Sequence, residues 1–228
     1  MYIDGTLQGA VDCYYKESLP FQFAFIKTGL DPEKTHTIRI LIRNEKHPQS
    51  LGTTIRHMAF EYTAECYRAS ACFSSVMGKN NWWYLQGDGK KFGNLDFLYA
   101  HKDDIRSGKE NALYPNCWGK KEICLVGNNY QIPGKMDAVR TFIAPHAGKV
   151  RVEGMIEIEK DQNSAHVVRI VKNAKDTVLA NVVTYAYPIM HDFILAVQKN
   201  DSLSFIVGRN EGKNGEKVIW DPTITFLD

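Results

Sequence analysis

The chain has 228 residues, 44% hydrophobic and 24% charged, which is enough apolar material for a real core and excludes disordered and fibrous classes. Its 28 basic and 26 acidic residues leave +2 with no polybasic run, so nucleic acid is not the expected partner. No apolar stretch approaches the roughly 18 to 20 residues of a membrane-crossing helix, so no membrane partner is expected either.

The start, Met1-Tyr-Ile-Asp-Gly-Thr6, lacks the basic segment, apolar stretch and small-residue cleavage site of a signal peptide. A cytoplasmic chain, or one whose export signal has been removed, is the expectation. Further along, period-2 alternation recurs and period-3.6 patterning does not. Strands are predicted at Phe21–Ile26 and at Thr35–Arg43, where Ile38, Ile40 and Ile42 fall on one face and Thr37, Arg39 and Arg43 on the other. Ile55–Tyr62, Asn81–Leu85 and Ala138–Ile143 follow. The clearest alternation is Lys149–Glu159, with Val150, Val152, Ile156 and Ile158 opposed to Arg151, Glu153, Glu157 and Glu159. Val167–Val171, Phe193–Val197, Leu203–Val207 and Ile224–Leu227 complete the series. Only Tyr62–Val76 and His101–Lys109 have room for short helical turns.

Turn chemistry separates these segments: Asp31-Pro32, Gly87–Gly93, Pro145–Gly148, Asn173–Asp176, Lys199–Asp201, Asn210–Gly212 and Asn214-Gly215. Short strands without intervening amphipathic helices predict an all-β, antiparallel β-sandwich of the jelly-roll kind. A seam is expected at residues 63–79. The 62 residues before it are short for a sandwich of about 100 residues, so 1–62 reads as part of an incomplete module and 80–228 as a complete one.

Five cysteines, Cys13, Cys66, Cys72, Cys117 and Cys124, include no C-x-x-C pair. Zinc-ribbon and thioredoxin-like chemistry lack support, and mostly reduced, structural thiols are expected, with a Cys117–Cys124 bridge as the alternative. There is no G-x-S-x-G, no H-E-x-x-H and no P-loop, so no catalytic residue or catalytic metal is assigned. Loops instead carry aromatic rings and amides. In Asn80-Asn-Trp-Trp-Tyr84, alternation puts Trp82 and Tyr84 on one face and Trp83 on the other. Sugars offer flat C–H patches to aromatic rings and hydroxyls to amides and guanidinium groups. Trp82, Trp83, Trp118, Asn129, Tyr130 and Arg140 are therefore the candidate carbohydrate-binding residues, each also able to serve as a packing residue, as Trp220 is expected to.

Two stretches resemble accessory modules of bacterial polysaccharide-degrading enzymes. Tyr2–Asp12, Thr28–Asp31, His36–Ile40, Asn44–Lys46, Ser50–Ile55 and Phe60–Tyr62 look like the C-terminal half of a galactose-binding-like β-sandwich of the carbohydrate-binding-module type. Asn80–Asp88, Pro133-Gly134, Asp137–Pro145, Gly148–Gly154 and Trp220–Phe226 are similar to a second jelly-roll module of glycoside hydrolases and polysaccharide lyases. That pattern carries His before the Pro-Gly pair, where this chain has Ile132. The resemblance implies a non-catalytic module that tethers a linked polysaccharide-acting enzyme to its glycan, in an extracellular or cell-surface setting, with no cofactor beyond a structural Ca²⁺. A ligand-free structural or interaction domain of the same fold, and a small lyase or glycosidase, are the competing expectations.

Overall fold

The computed structural model describes residues 1–11, 25, 27, 30–31, 34–43, 45, 47–49, 65–88, 91–98, 116–120, 122–159, 164–209 and 216–227. Among them the secondary structure is all strand apart from one 3-10 turn at Lys79–Asn81, and the strands pair antiparallel. Near the start, β1 (Tyr2–Ile3), β2 (Thr6–Leu7) and β3 (Ile38–Arg39) form a small sheet in the order β2-β1-β3. The side chains of Asp4 and His36 strap it, with a carboxylate oxygen 2.6 Å from Nδ1.

The sandwich proper has fifteen strands among the described residues. They are β4 (Cys66–Arg68), β5 (Trp82–Gly87), β6 (Phe92–Asn94), β7 (Phe97–Leu98), β8 (Cys117–Lys120), β9 (Cys124–Val126), β10 (Tyr130–Pro133) and β11 (Asp137–Ile143), then β12 (Gly148–Ile158), β13 (Ala165–Lys172), β14 (Asp176–Thr184), β15 (Ile189–Val197), β16 (Ser202–Val207), β17 (Val218–Trp220) and β18 (Thr223–Leu227). One sheet runs β14-β13-β16-β11-β5-β6. The other is organised by the long strand β12, which pairs with β15 on one side and with both β18 and β17 on the other. β4 extends this sheet from β18, and β10-β9-β8-β7 extend it from β17. Thus Cys66–Arg68, inside the seam expected at residues 63–79, is a strand of the sandwich.

The core lies between the sheets. Trp82, Phe142 and Phe205 of one sheet meet Val150, Val152, Ile156, Trp220 and Ile224 of the other, all fully buried. The alternation that predicted β12 is the alternation observed, with Val150, Val152, Ile156 and Ile158 inside and Lys149, Arg151 and Met155 exposed. The predicted strands at 81–85, 138–143, 167–171, 193–197, 203–207 and 224–227 correspond to β5, β11, β13, β15, β16 and β18.

The strand expected over Thr35–Arg43 shrinks to Ile38–Arg39, and Ile38, Ile40 and Ile42 are 47%, 48% and 69% exposed rather than half-buried. Only two of its residues pair with β1, so the apolar alternation there lacks a packed sheet face to fill. Residues 21–26 (apart from Phe25), 55–62, 101–109 and 210–215, on which other expectations fall, lie outside the described residues. From Glu65 to Val76 the chain forms β4 and turns, not a helix.

Candidate functional site

Two consecutive asparagines in left-handed backbone conformation, Asn80 (φ 56°) and Asn81 (φ 65°), turn the chain into β5. Asn tolerates this region because its short polar side chain bonds locally, and Asn80 Nδ2 donates to the Cys72 carbonyl at 3.2 Å. The turn starts β5 with Trp82, and strand alternation then sends Trp82 and Tyr84 into the core and Trp83 to the outer face. The Trp83 indole rests on Gly78, where an added Cβ would stand 3.0 Å from Cζ2, and it remains 37% exposed. Across the sheet it pairs with Thr141, whose hydroxyl hydrogen-bonds that of Ser204 at 2.9 Å. Of the four tryptophans, Trp83 alone is accessible.

The other five candidate residues are distributed differently. Trp82 is fully buried against Phe142 and Phe205. Trp118, from β8 of the opposite sheet, stacks on Tyr84 with ring centroids 5.2 Å apart and donates its Nε1–H to the Ser74 carbonyl at 2.9 Å. Arg140 pairs with Tyr84 across β11 and β5 and is fully buried. Its guanidinium donates to the carbonyls of Gly127 at 2.6 Å and Trp220 at 3.3 Å, joining the two sheets. Burial pulls the Arg140 pKa down, against the opposing effects of Tyr84, Asp221 and Tyr130. The structure therefore gathers Trp118, Tyr84 and Arg140 into one interior cluster, away from solvent.

Tyr130 lies on the outer face of the other sheet. Its ring covers Gly127, where an added Cβ would fall 2.1 Å from Cε1, and Lys217 Nζ sits 4.9 Å above its centroid. Ile132, at the position where the related pattern has His, packs with Cys117, Leu125 and Tyr130 in an apolar cluster. Asn129 is half-buried in the β9–β10 turn, and its carbonyl accepts from Trp220 N at 2.9 Å. Trp83 and Asn129 are thus the candidates that keep some surface, on different sheets. Two exposed rings escaped the sequence reading: Tyr185 (46%) and Tyr187 (75%), in the β14–β15 connection. The signal was their x-Tyr-Ala-Tyr-Pro turn composition, which resembles ordinary loop sequence. Among the described residues, no group of three or more His, Cys, Asp or Glu converges on a point able to hold a metal ion. No helix among them is long and apolar enough to cross a membrane.

No family model matches this chain, and no curated protein matches it. Solved structures do align. A family 35 carbohydrate binding module from Clostridium thermocellum is 13% identical, with a TM-score of 0.33, over 72% of this chain and 99% of that one. The CBM36-1 domain of a multidomain xylanase from the hindgut metagenome of Trinervitermes trinervoides is 12% identical, with a TM-score of 0.30, over 65% and 99%. An isomalto-dextranase from Arthrobacter globiformis T6 is 14% identical, with a TM-score of 0.27, over 63% of this chain and only 23% of its own length. Likeness of this order transfers neither activity nor site residues to this chain.

Proposed function

We propose that this chain is a non-catalytic carbohydrate-binding module that holds a linked polysaccharide-acting enzyme on its glycan outside the cell. The observation that carries this reading is Trp83, an indole kept at the surface by a glycine beneath it while its neighbours Trp82 and Tyr84 are fully buried. An exposed indole backed by a bare backbone offers a flat apolar platform for the C–H face of a sugar ring. Such contact is weak for one ring, and its use is to raise the local concentration of substrate around a tethered catalytic domain.

Because Trp83 is the accessible tryptophan, the whole chain reports on it by acrylamide quenching of intrinsic fluorescence. A bound glycan lowers the quenching constant, and Trp83→Ala weakens retention in glycan affinity electrophoresis by at least about tenfold. If no glycan on a broad array binds, or if binding leaves the quenching of Trp83 unchanged, the reading fails. A second reading, a ligand-free structural sandwich, draws on the burial of Trp82, Trp118, Tyr130 and Arg140. It predicts unchanged quenching with every glycan.

A further inference from the structure

Strands β14 and β15, joined by the short turn at residues 185–188, each stand at the end of their sheet. Among the described residues β14 pairs only with β13, and β15 only with β12. The core is open along this side: Leu179 of β14 and Ile189, Phe193 and Leu195 of β15 pack against it and stay half-buried. Gly208 N donates to the Val167 carbonyl at 2.8 Å, so Val167 turns its backbone groups towards β16. Alternation then turns those of Val168 and its partner Asn181 towards each other, and those of Ala180 and Val182 to the free edge. Val182 N–H accordingly donates to the Asn181 side chain, Oδ1 at 2.8 Å, and not to a strand.

Edge strands are usually blunted by a charge, a proline or a bulge. The bulge in this hairpin lies at the far end of β14, where the register shifts between Ile170 and Val171 and leaves Val178 without a partner. Beyond it, residues 179–184 carry no charge and no proline, and no Asp, Glu, Lys or Arg occurs anywhere in 177–191. On the outer face Val182 lies opposite Val167, and the two are 50% and 48% exposed. Arg169, next along that face, is engaged by Asp137 at 3.2 Å. A row of backbone donors and acceptors asks for another strand, which neither a lipid surface nor a sugar supplies. A strand with a charged face would find no counter-charge here, whereas β14 of a second copy brings none.

We propose that this edge is a self-association surface, on which β14 of a second copy of the chain pairs antiparallel with β14 about a two-fold axis at Val182. Each Val182 then exchanges both backbone hydrogen bonds with its counterpart, its N–H leaving Asn181, and Ala180 lies opposite Thr184 of the other copy. Val167 and Val182 of each copy form one apolar row across four strands, the kind of β-branched contact that stabilises a sheet. The copies overlap over about 20 Å of a sandwich edge about 20 Å thick, or about 800 Å² in total. That is less than stable complexes bury, so the dimer forms and dissociates with concentration. It does not depend on glycan binding, and Trp83 on β5 lies towards the opposite end of the sheet.

Sedimentation velocity of the full chain from about 1 to 500 μM tests this, with a monomer–dimer equilibrium expected in that range. A chain that stays monomeric throughout overturns the proposal. Val182→Lys sets two ammonium groups against each other on the axis, and Ala180→Pro removes an edge N–H that the monomer does not use; each should weaken the dimer at least about tenfold. Unchanged urea midpoints establish that the monomer fold is kept, and if Ala180→Pro fails to fold, the solvent-facing Val182→Lys decides. A dimer that survives Val182→Lys overturns the proposal. Register is read by oxidation: Val182→Cys brings two thiols together on the axis, with Cα atoms about 5.5 Å apart, and should give a covalent dimer. Val178→Cys lies off the axis and should add no crosslink over the unsubstituted chain. Equal crosslinking of both, or of neither, overturns the pairing.

Discussion

His191 and Trp220 show how a single buried pair constrains its own chemistry. Trp220 Nε1–H donates to His191 Nε2 at 3.0 Å, and His191 Nδ1 faces the Val152 carbonyl at 3.4 Å. The ring must accept at one nitrogen and donate at the other, so it is the neutral tautomer. Burial holds its pKa below the ordinary value of 6.5, despite Val152, Asp192 and Glu153. The unfolded chain takes up a proton near 6.5 and the folded chain does not. This contribution to stability is therefore complete above that pH and declines as pH falls towards the folded pKa.

His36 and His146 run the opposite way. Their pKa values are raised, His36 chiefly by Asp4 and His146 by the Ala147 carbonyl and Glu65, so what they contribute is present in acid and lost as pH rises. The resonance of His191 itself, followed by NMR titration, separates these effects. An apparent pKa at or above 6.5 would contradict the assignment. Trp220→Phe removes the donor and leaves a void, and a loss of about 2 to 4 kcal/mol in urea denaturation is expected. In the same variant the His191 pKa shifts, since the Nε2 acceptor is released.

At the scale of elements, the β13–β14 hairpin turns on Asn173 (φ 54°) and Ala174 (φ 53°), closed by Lys175 N donating to the Lys172 carbonyl at 3.1 Å. Two left-handed residues make this a type I′ turn, which matches the twist of the flanking strands but strains an alanine. Ala174→Gly relieves that strain and is partly offset by greater freedom of the unfolded chain. A net stabilisation of about 0.5 to 1 kcal/mol is expected in thermal or urea unfolding. Asn173 also ties this hairpin to the β15–β16 turn, donating from Nδ2 to Asp201 at 2.9 Å.

The Asp201 carboxylate further accepts from Gln198 N at 2.8 Å and faces Lys172 Nζ at 2.9 Å. These donors, the Gln198 backbone first, lower its pKa from 3.8 to about 2. The clamp is intact above about pH 4 and is lost as pH falls through about 2. In Asp201→Asn, stability should lose its pH dependence in that window, read from urea midpoints. The turn at Asn173–Asp176 was legible from its residues, but β14 itself was not. As an edge strand, β14 leaves Val178 and Val182 exposed at 39% and 50%, so its composition carries little of the alternation that a half-buried strand requires.

Across the whole molecule, the sheet decides the fate of the thiols. Cys117 on β8 joins the outer cluster with Leu125 and Tyr130, whereas Cys124 on β9 faces the core between the sheets. Side chains on opposite faces of one sheet cannot form a disulfide with each other, so Cys117 and Cys124 are not bridged. Burial raises the Cys117 thiol to about 11 and the Cys124 thiol to about 12. Both should resist an aromatic disulfide reagent in the native protein and react at the rate of global unfolding. Fast labelling of either under native conditions would contradict this placement.

Backbone period is a local property, and for that reason the residues alone determined an all-β chain, the inward side of β12 and the division of Trp82 and Trp83 between the two faces of β5. Composition and turn chemistry likewise marked several of the hairpins. Burial, by contrast, depends on what arrives from elsewhere in the chain. Alternation on β11 sets Arg140 apart from Val139, but only the approach of Gly127 and Trp220 from the facing sheet encloses its guanidinium. The same holds for Trp118, committed to Tyr84 and Ser74. Side chains distant in sequence meet only when two sheets pack, so the packing residues and the candidate binding residues, alike in type, were told apart by the tertiary structure.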